Sequence, residues 1–325
     1  MTLMHHPILP QDHATMAKIR AGAAPGKGVL ERDTFDAVIE HTLPPDSVTY
    51  EAGVAGGVGG WWCKPLHQTP GAAILYLHGG AYIVGTARAY RHFVGQIALR
   101  VQRVAFIPDY ALAPERPFPA ALEDAEAAYA GLHDLGFGDV VLVGDSAGGG
   151  LALVLTSLKV AAKGRNPALS PKRVAVMSPW TDLALTGMTM ETLAEADPFL
   201  TKAALASGAN QYLGRHDPRD PKASPFYGNL EGLPPIRVDV GEDEILLDDA
   251  RRYAERVALV DGEIQIHTWE GMPHVFPTNV GVLHAADAAL NDIASFLRGS
   301  DLRRTREAGA SQHNRIQLSI SGAQS

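Results

Sequence analysis

The chain has 325 residues, 46% of them hydrophobic, enough to bury a large core in one domain or two. Its 28 basic and 36 acidic side chains leave a formal charge of −8, which repels nucleic-acid phosphate and removes that class of partner. The single cysteine, Cys63, excludes an intrachain disulfide and fits a reducing compartment.

The first eleven residues carry His5, His6, Pro7 and Pro10 but no basic n-region and no apolar h-region. No uninterrupted apolar run reaches the roughly 20 residues of a membrane span, so a cytoplasmic protein with no membrane partner is expected. Residues 12–42 read as a helix-like mix broken by Gly22, Pro25, Gly26 and Gly28. Gly22 to Gly28 superficially resembles a phosphate loop. However, Ala21 stands where its first glycine is required and Gly28 where Ser or Thr should follow the lysine. Residues 47–52 and 60–64 are predicted strands, joined by a glycine-rich turn over 53–59.

After Pro70 short apolar runs alternate with amphipathic helices. Strands are predicted at 72–77, 103–108, 139–144, 173–178, 236–241 and 263–269. Helices are predicted at 88–100, 119–135, 147–162, 248–259 and 285–298. The alternation predicts an α/β fold, a mostly parallel central sheet with helices on both faces. Right-handed crossovers then put the strand carboxyl ends, and any ligand crevice, along one edge. Residues 1–45 and 183–213 interrupt the pattern and are expected to form a small helical cap over that edge. The rest of 46–299 forms the catalytic domain, and the polar tail 300–325 is expected to be disordered.

Gly144-Asp145-Ser146-Ala147-Gly148 matches G-x-S-x-G. The strand DVVLVG runs into it and the helix AGGGLALVLTSLKVAA leaves it, the strand–turn–helix setting of a nucleophile elbow, with Ser146 as nucleophile. The plain alternative is a glycine-rich turn that binds phosphate. The strand AAILYL ends in His78-Gly79-Gly80-Ala81, where consecutive glycines let backbone N–H groups approach a substrate. Gly79 and Gly80 are the expected oxyanion donors, with the N–H of Ala147 as the third. His78 is expected to anchor the loop.

HGGA at 78–81, DYALAPE at 109–115 with PFPA at 117–120, GDSAGG at 144–149, SPWTD at 178–182 and GMPHVF at 271–276 resemble the hormone-sensitive-lipase-like bacterial esterases. The resemblance spans about residues 45 to 298. It implies an α/β-hydrolase fold with a helical cap, no cofactor, and hydrolysis of carboxylic esters, usually of short acyl chain. Its frequent dimers make a homodimer the expectation. One departure is Ala81, where the family usually has a third glycine. With the donors placed on the first two glycines, Ala81 is expected to trim the pocket. YALAPE is read as a structural turn, so Glu115 is not counted as catalytic.

Five histidines follow the elbow: His216, His267, His274, His284 and His313. His274, in a loop just after the last strand and inside GMPHVF, is the expected base. The acid lies in Gly241-Glu242-Asp243-Glu244-Ile245-Leu246-Leu247-Asp248-Asp249. Aspartate is the commoner triad acid, which favours Asp243. Aligning the family's L-x-D-D on Leu246 to Asp249 puts Glu244 at the acid position, and Glu244 is preferred. No C-x-x-C, H-E-x-x-H or EF-hand spacing occurs, so no metal is expected.

Trp180, Phe199 and Tyr212 are candidates to line the pocket, and core packing explains them equally well. The substrate expected is a small ester. A non-catalytic ligand-binding module on the same fold, or an amidase or lactonase with the same triad, are the competing functions.

Overall fold

The computed structural model describes residues 1–23, 31–162 and 170–299. Pro25, Gly26 and Gly28 of the N-terminal loop, most of the phosphate-loop-like segment and the tail with His313 lie outside these residues.

The centre is a nine-stranded sheet. Its strands are β1 (Thr2–His6), β2 (Val48–Ala55), β3 (Val58–Pro65), β4 (Ala72–Leu77), β5 (Val104–Pro108), β6 (Asp139–Asp145), β7 (Val174–Met177), β8 (Ile236–Gly241) and β9 (Ile264–Trp269). They lie in the order β1-β9-β8-β7-β6-β4-β5-β3-β2, parallel throughout except for β3, which is antiparallel to both its neighbours, β2 and β5. Helices α3 (Ala87–Val101), α4 (Ala120–Asp134), α5 (Ser146–Ala161) and α8 (Leu247–Leu259) lie in the crossovers, and with α9 (His284–Arg298), which follows the last strand, they flank the sheet.

The pleat sorts the core. Ala73, Leu75 and Leu77 of β4 face the layer of α4, α5 and α8, while Ile74 and Tyr76 face α3 and α9. Burial on both faces is why these strands read as unbroken apolar runs.

Two expectations change. The turn predicted over 53–59 shrinks to Gly56-Gly57, both at positive φ (58° and 82°), and the strands continue through Gly53, Gly59 and Gly60. Two of those glycines answer backbone crowding: a Cβ on Gly60 would stand 2.0 Å from the Ile107 carbonyl oxygen, and one on Gly56 1.8 Å from that of Ala127. The second correction concerns residues 1–45. Their first residues form β1, paired in parallel with β9 from Thr2↔Gln265 to His6↔Trp269, and so belong to the sheet. An edge strand with exposed Leu3 and Met4 buries no apolar face, so hydrophobic periodicity gives no sign of it.

The remainder of that segment forms α1 (Pro10–Gly22) and α2 (Arg32–Ile39), and residues 183–213 contain α6 (Thr189–Thr192) and α7 (Lys202–Leu213). Asp12 of α1 is fully buried. Its carboxylate accepts from the N–H groups of His284 (2.9 Å) and Ala285 (2.9 Å), the first turn of α9, which has no cap of its own. No described helix is long and apolar enough to cross a membrane.

Asp12→Ala is expected to lower stability by about 1–2 kcal/mol through loss of this tertiary cap. Urea unfolding measures it; an unchanged midpoint would show that the contact contributes nothing.

Candidate active site

Strands β9, β8, β7, β6 and β4 are consecutive neighbours, and the loops after their carboxyl ends converge. Ser146 follows β6 at once and opens α5 with φ +51°, in the left-handed region that a non-glycine residue enters at a cost of about 1–3 kcal/mol. Its flanks need glycine because backbone passes so close. A Cβ on Gly148 would meet the Leu77 carbonyl oxygen at 2.1 Å, and one on Gly144 that of Gly148 at 2.5 Å. The Trp180 N–H, donated to the Ser146 carbonyl at 2.9 Å, pins the turn from β7.

His274 Nε2 lies 2.9 Å from Ser146 Oγ, and its Nδ1 lies 3.1 Å from Glu244 Oε1. With the ring proton on Nδ1, the serine hydroxyl donates to Nε2 and the imidazole donates to the carboxylate. The second oxygen of the fully buried Glu244 accepts from Ser178 Oγ (2.6 Å) and from the Gly241 N–H (3.1 Å). Ser178 Oγ in turn accepts the Val275 N–H at 3.0 Å, so one hydroxyl after β7 holds both the acid and the loop of the base. Burial works against a charged His274, but the Glu244 charge and hydrogen bond, then Asp197 and Asp145, outweigh it and raise its pKa above the ordinary 6.5.

Asp243 turns elsewhere. Its carboxylate pairs with Arg20 of α1, and its N–H donates to the Met272 carbonyl at 3.1 Å. Arg20 also donates to the Ala196 carbonyl at 2.9 Å. Asp197, buried, accepts the Ile245 N–H at 2.9 Å and those of Phe199 and Leu200 at 2.9 Å each, fastening the segment between α6 and α7 beside Glu244.

The loop after β4 corrects one expectation. The N–H of Gly79 is already donated to Asp145 Oδ1 at 2.9 Å, so Gly79 has no donor to offer an oxyanion. The N–H groups of Gly80 and Ala81 have no hydrogen bond among the described residues. A run of glycines announces close backbone approach, but not which way each peptide points. Asp145 also accepts from Tyr76 Oη (2.6 Å) and Tyr90 Oη (3.1 Å). Burial raises its pKa to about 6 against those three bonds. His78 Nδ1 donates to the Gly79 carbonyl at 2.7 Å, its ring stacks on Tyr110 at 4.3 Å, and burial lowers its pKa to about 4. A neutral anchor results.

Other candidates stand apart from Ser146. His267 Nδ1 lies 2.9 Å from His6 Nε2, His284 opens α9 against Asp12, His216 meets Phe118 edge-on at 5.0 Å, and Glu115 pairs with Arg32 at 2.7 Å. Trp180 is fully buried, Tyr212 stacks on Tyr82, and Phe199 is exposed.

Among the described residues, only His6, His267 and Asp292 gather donor atoms closely enough to share a metal. The two imidazoles already hydrogen-bond one another, and Arg237 Nη2 stands 3.8 Å from Asp292, so a cation would face a guanidinium. Sequence reading passed over Ser178 and Asp197; for Ser178 the available signal was a hydroxyl at a strand's carboxyl end.

A family model described as alpha/beta hydrolase fold matches residues 74–278. An acetyl-hydrolase of Streptomyces hygroscopicus is 37% identical over 239 residues, 73% of this chain and 78% of its own. An esterase of Acinetobacter venetianus is 36% identical over 232 residues, 70% and 75% of the two chains. Among solved structures, an esterase/lipase from an uncultured bacterium aligns with a TM-score of 0.81 at 33% identity, covering 90% of this chain and 98% of its own. An esterase from the bacterial hormone-sensitive lipase family aligns with a TM-score of 0.80 at 34% identity, covering 88% and 95%.

A serine-directed fluorophosphonate is expected to label Ser146, with a rate that falls as pH drops through a midpoint above 6.5, where His274 takes up a proton. Glu244→Gln removes the charge that raises His274, so the midpoint should move down and labelling should slow about a thousandfold or more. Asp243→Asn should stay within about threefold of the unmodified rate, because its carboxylate serves Arg20. Collapse with Asp243→Asn alone would transfer the acid's role to that residue.

Proposed function

The chain belongs to the α/β-hydrolase family, as a hormone-sensitive-lipase-like carboxylesterase, and from that membership we propose that it cleaves short-acyl esters through a Ser146–His274–Glu244 triad and an acyl-enzyme. The observation that carries the proposal is the continuous line from Ser146 Oγ to His274 Nε2 (2.9 Å) and from Nδ1 to a fully buried Glu244 (3.1 Å).

In this reading His274 takes the Ser146 proton as Oγ attacks the ester carbonyl carbon. The negative oxygen is received by the N–H groups of Gly80 and Ala81, the free donors after β4, and of Ala147 in the first turn of α5. The first-turn N–H groups and positive end of that helix favour negative charge. Each such donor is worth about 3–4 kcal/mol to the transition state. Collapse breaks the bond to the alkoxy oxygen, and His274 returns the proton to the departing alcohol. Water, deprotonated by the same nitrogen, then attacks the acyl carbon and releases the carboxylic acid and free Ser146. Glu244 keeps the ring in the reactive tautomer and stabilises its charged form.

Ala81 changes role here, since its N–H replaces that of Gly79 in the donor set. Nothing in these steps calls for a cofactor. A cytoplasmic setting suits a chain whose one thiol, Cys63, is buried and free.

The test is a chain-length series of aryl esters, from acetyl to dodecanoyl, with wild type and Ser146→Ala. Turnover should be highest for the short acyl groups, and the substitution should lower kcat by about 10⁴-fold or more. No serine-dependent hydrolysis by folded protein would turn the reading to a ligand-binding module. Faster cleavage of matched anilides would make the enzyme an amidase.

A further inference from the structure

The loop that carries the two free N–H groups is strained and is held from above. Ala81 (φ +51°) and Tyr82 (φ +63°) are consecutive non-glycine residues in the left-handed region, which places a standing penalty on the donor conformation. Inside the loop, Ile83 and Val84 both donate to the Gly80 carbonyl (2.9 and 3.0 Å). From the side, the Ala113 N–H donates to the Tyr82 carbonyl at 2.9 Å.

The third support comes from α7. Tyr212 lies flat on Tyr82, with ring centroids 3.8 Å apart and planes within 7°. Its carbonyl accepts the Phe118 N–H at 2.7 Å, tying the end of α7 to the segment beneath. One turn earlier, Gly208 rests on Ala81 itself. A Cβ built there would stand 3.1 Å from the Ala81 Cβ and 3.4 Å from the Ala81 carbonyl oxygen. Gly208 is buried and sits mid-helix, where glycine is otherwise unfavourable, at a place where α7 meets this loop residue.

We propose that α7 acts as a clamp on the oxyanion loop, with Gly208 and Tyr212 as positioning residues that hold the Gly80 and Ala81 N–H groups in register with Ser146. The inference rests on the oxyanion reading proposed above. Seating of the cap helix and assembly of the donor pair are then one event. The pair Ala81 and Gly208 forms a close contact, in which a methyl on both sides would have to displace one of them by a few tenths of an ångström. Neither residue exchanges protons with substrate, and Gly208 reaches the reaction only through Ala81.

Gly208→Ala is the probe, because alanine favours the helix and so separates misplacement from unfolding. The expected result is a kcat lowered about tenfold with KM within about twofold, since a shift of a few tenths of an ångström should cost less than removal of a donor. Affinity for a trifluoromethyl ketone, whose serine adduct carries an oxyanion, should fall by a similar factor. The melting temperature should not fall. In Ala81→Gly/Gly208→Ala the relieved contact should bring kcat back to within about twofold of Ala81→Gly alone.

Unchanged kcat and ketone affinity in folded Gly208→Ala would overturn the clamp and leave the triad reading standing. So would a loss that Ala81→Gly fails to relieve, or one accompanied by a lower melting temperature, since either marks a general packing defect. Loss of serine dependence in the wild-type control is a separate result, which removes the oxyanion reading and the clamp together.

Discussion

The carboxylate of Asp145 is buried where β6 ends, one residue before the nucleophile, and it takes three hydrogen bonds there. Two come from tyrosines on β4 and α3; the third comes from the N–H of Gly79. That third bond fixes the peptide after β4 relative to the turn after β6, so the donor loop and Ser146 cannot drift apart without taking a donor from a buried carboxyl group. Close approach follows from it: a Cβ on Gly79 would lie 2.3 Å from Asp145 Oδ2. The same bond decides which peptides remain free, because the N–H consumed at Gly79 hands the task to Gly80 and Ala81.

Strain is concentrated in the same few loops. Ala81, Tyr82, Ser146, Ser178 and Val275 all have φ between 48° and 63°, and none is a glycine. Each is held by an identifiable bond or packing contact: Trp180 N–H on the Ser146 carbonyl, Val275 N–H on Ser178 Oγ, and Tyr212 on Tyr82. Rigid neighbours thus maintain backbone conformations that the isolated segments would leave, which is how a site keeps its geometry without rearranging during reaction.

Legibility in the sequence followed the range of the interactions. Ser146 was readable because the strand before it and the helix after it are local patterns. His274 was readable from its place after the last strand and its motif. Glu244 over Asp243 rested on alignment, and the separating fact is tertiary: Arg20, far away in the chain, occupies Asp243. Gly79 misled because composition reports freedom of the backbone and not the direction of an N–H. Asp197 carries no local signature and Ser178 shows only as a hydroxyl at a strand's carboxyl end; the roles of both lie across the chain, with Glu244 66 positions from Ser178 and Ile245 48 from Asp197. β1 escaped notice because its pairing uses backbone groups, which every sequence has.

The N-terminal segment has a consequence for the order in which the chain is made. His6 meets His267 across 261 positions, Arg20 meets Asp243 across 223, and Asp12 meets His284 across 272. These residues therefore wait for partners that are synthesised much later. Until β9 and α9 emerge, β1 has no neighbouring strand and the Asp12 carboxylate has no helix to cap. Closing those contacts joins the two ends of the described fold late, and a nascent chain halted before residue 264 would carry β1 unpaired and Asp12 uncapped, although Arg32 of α2 would already have its partner Glu115.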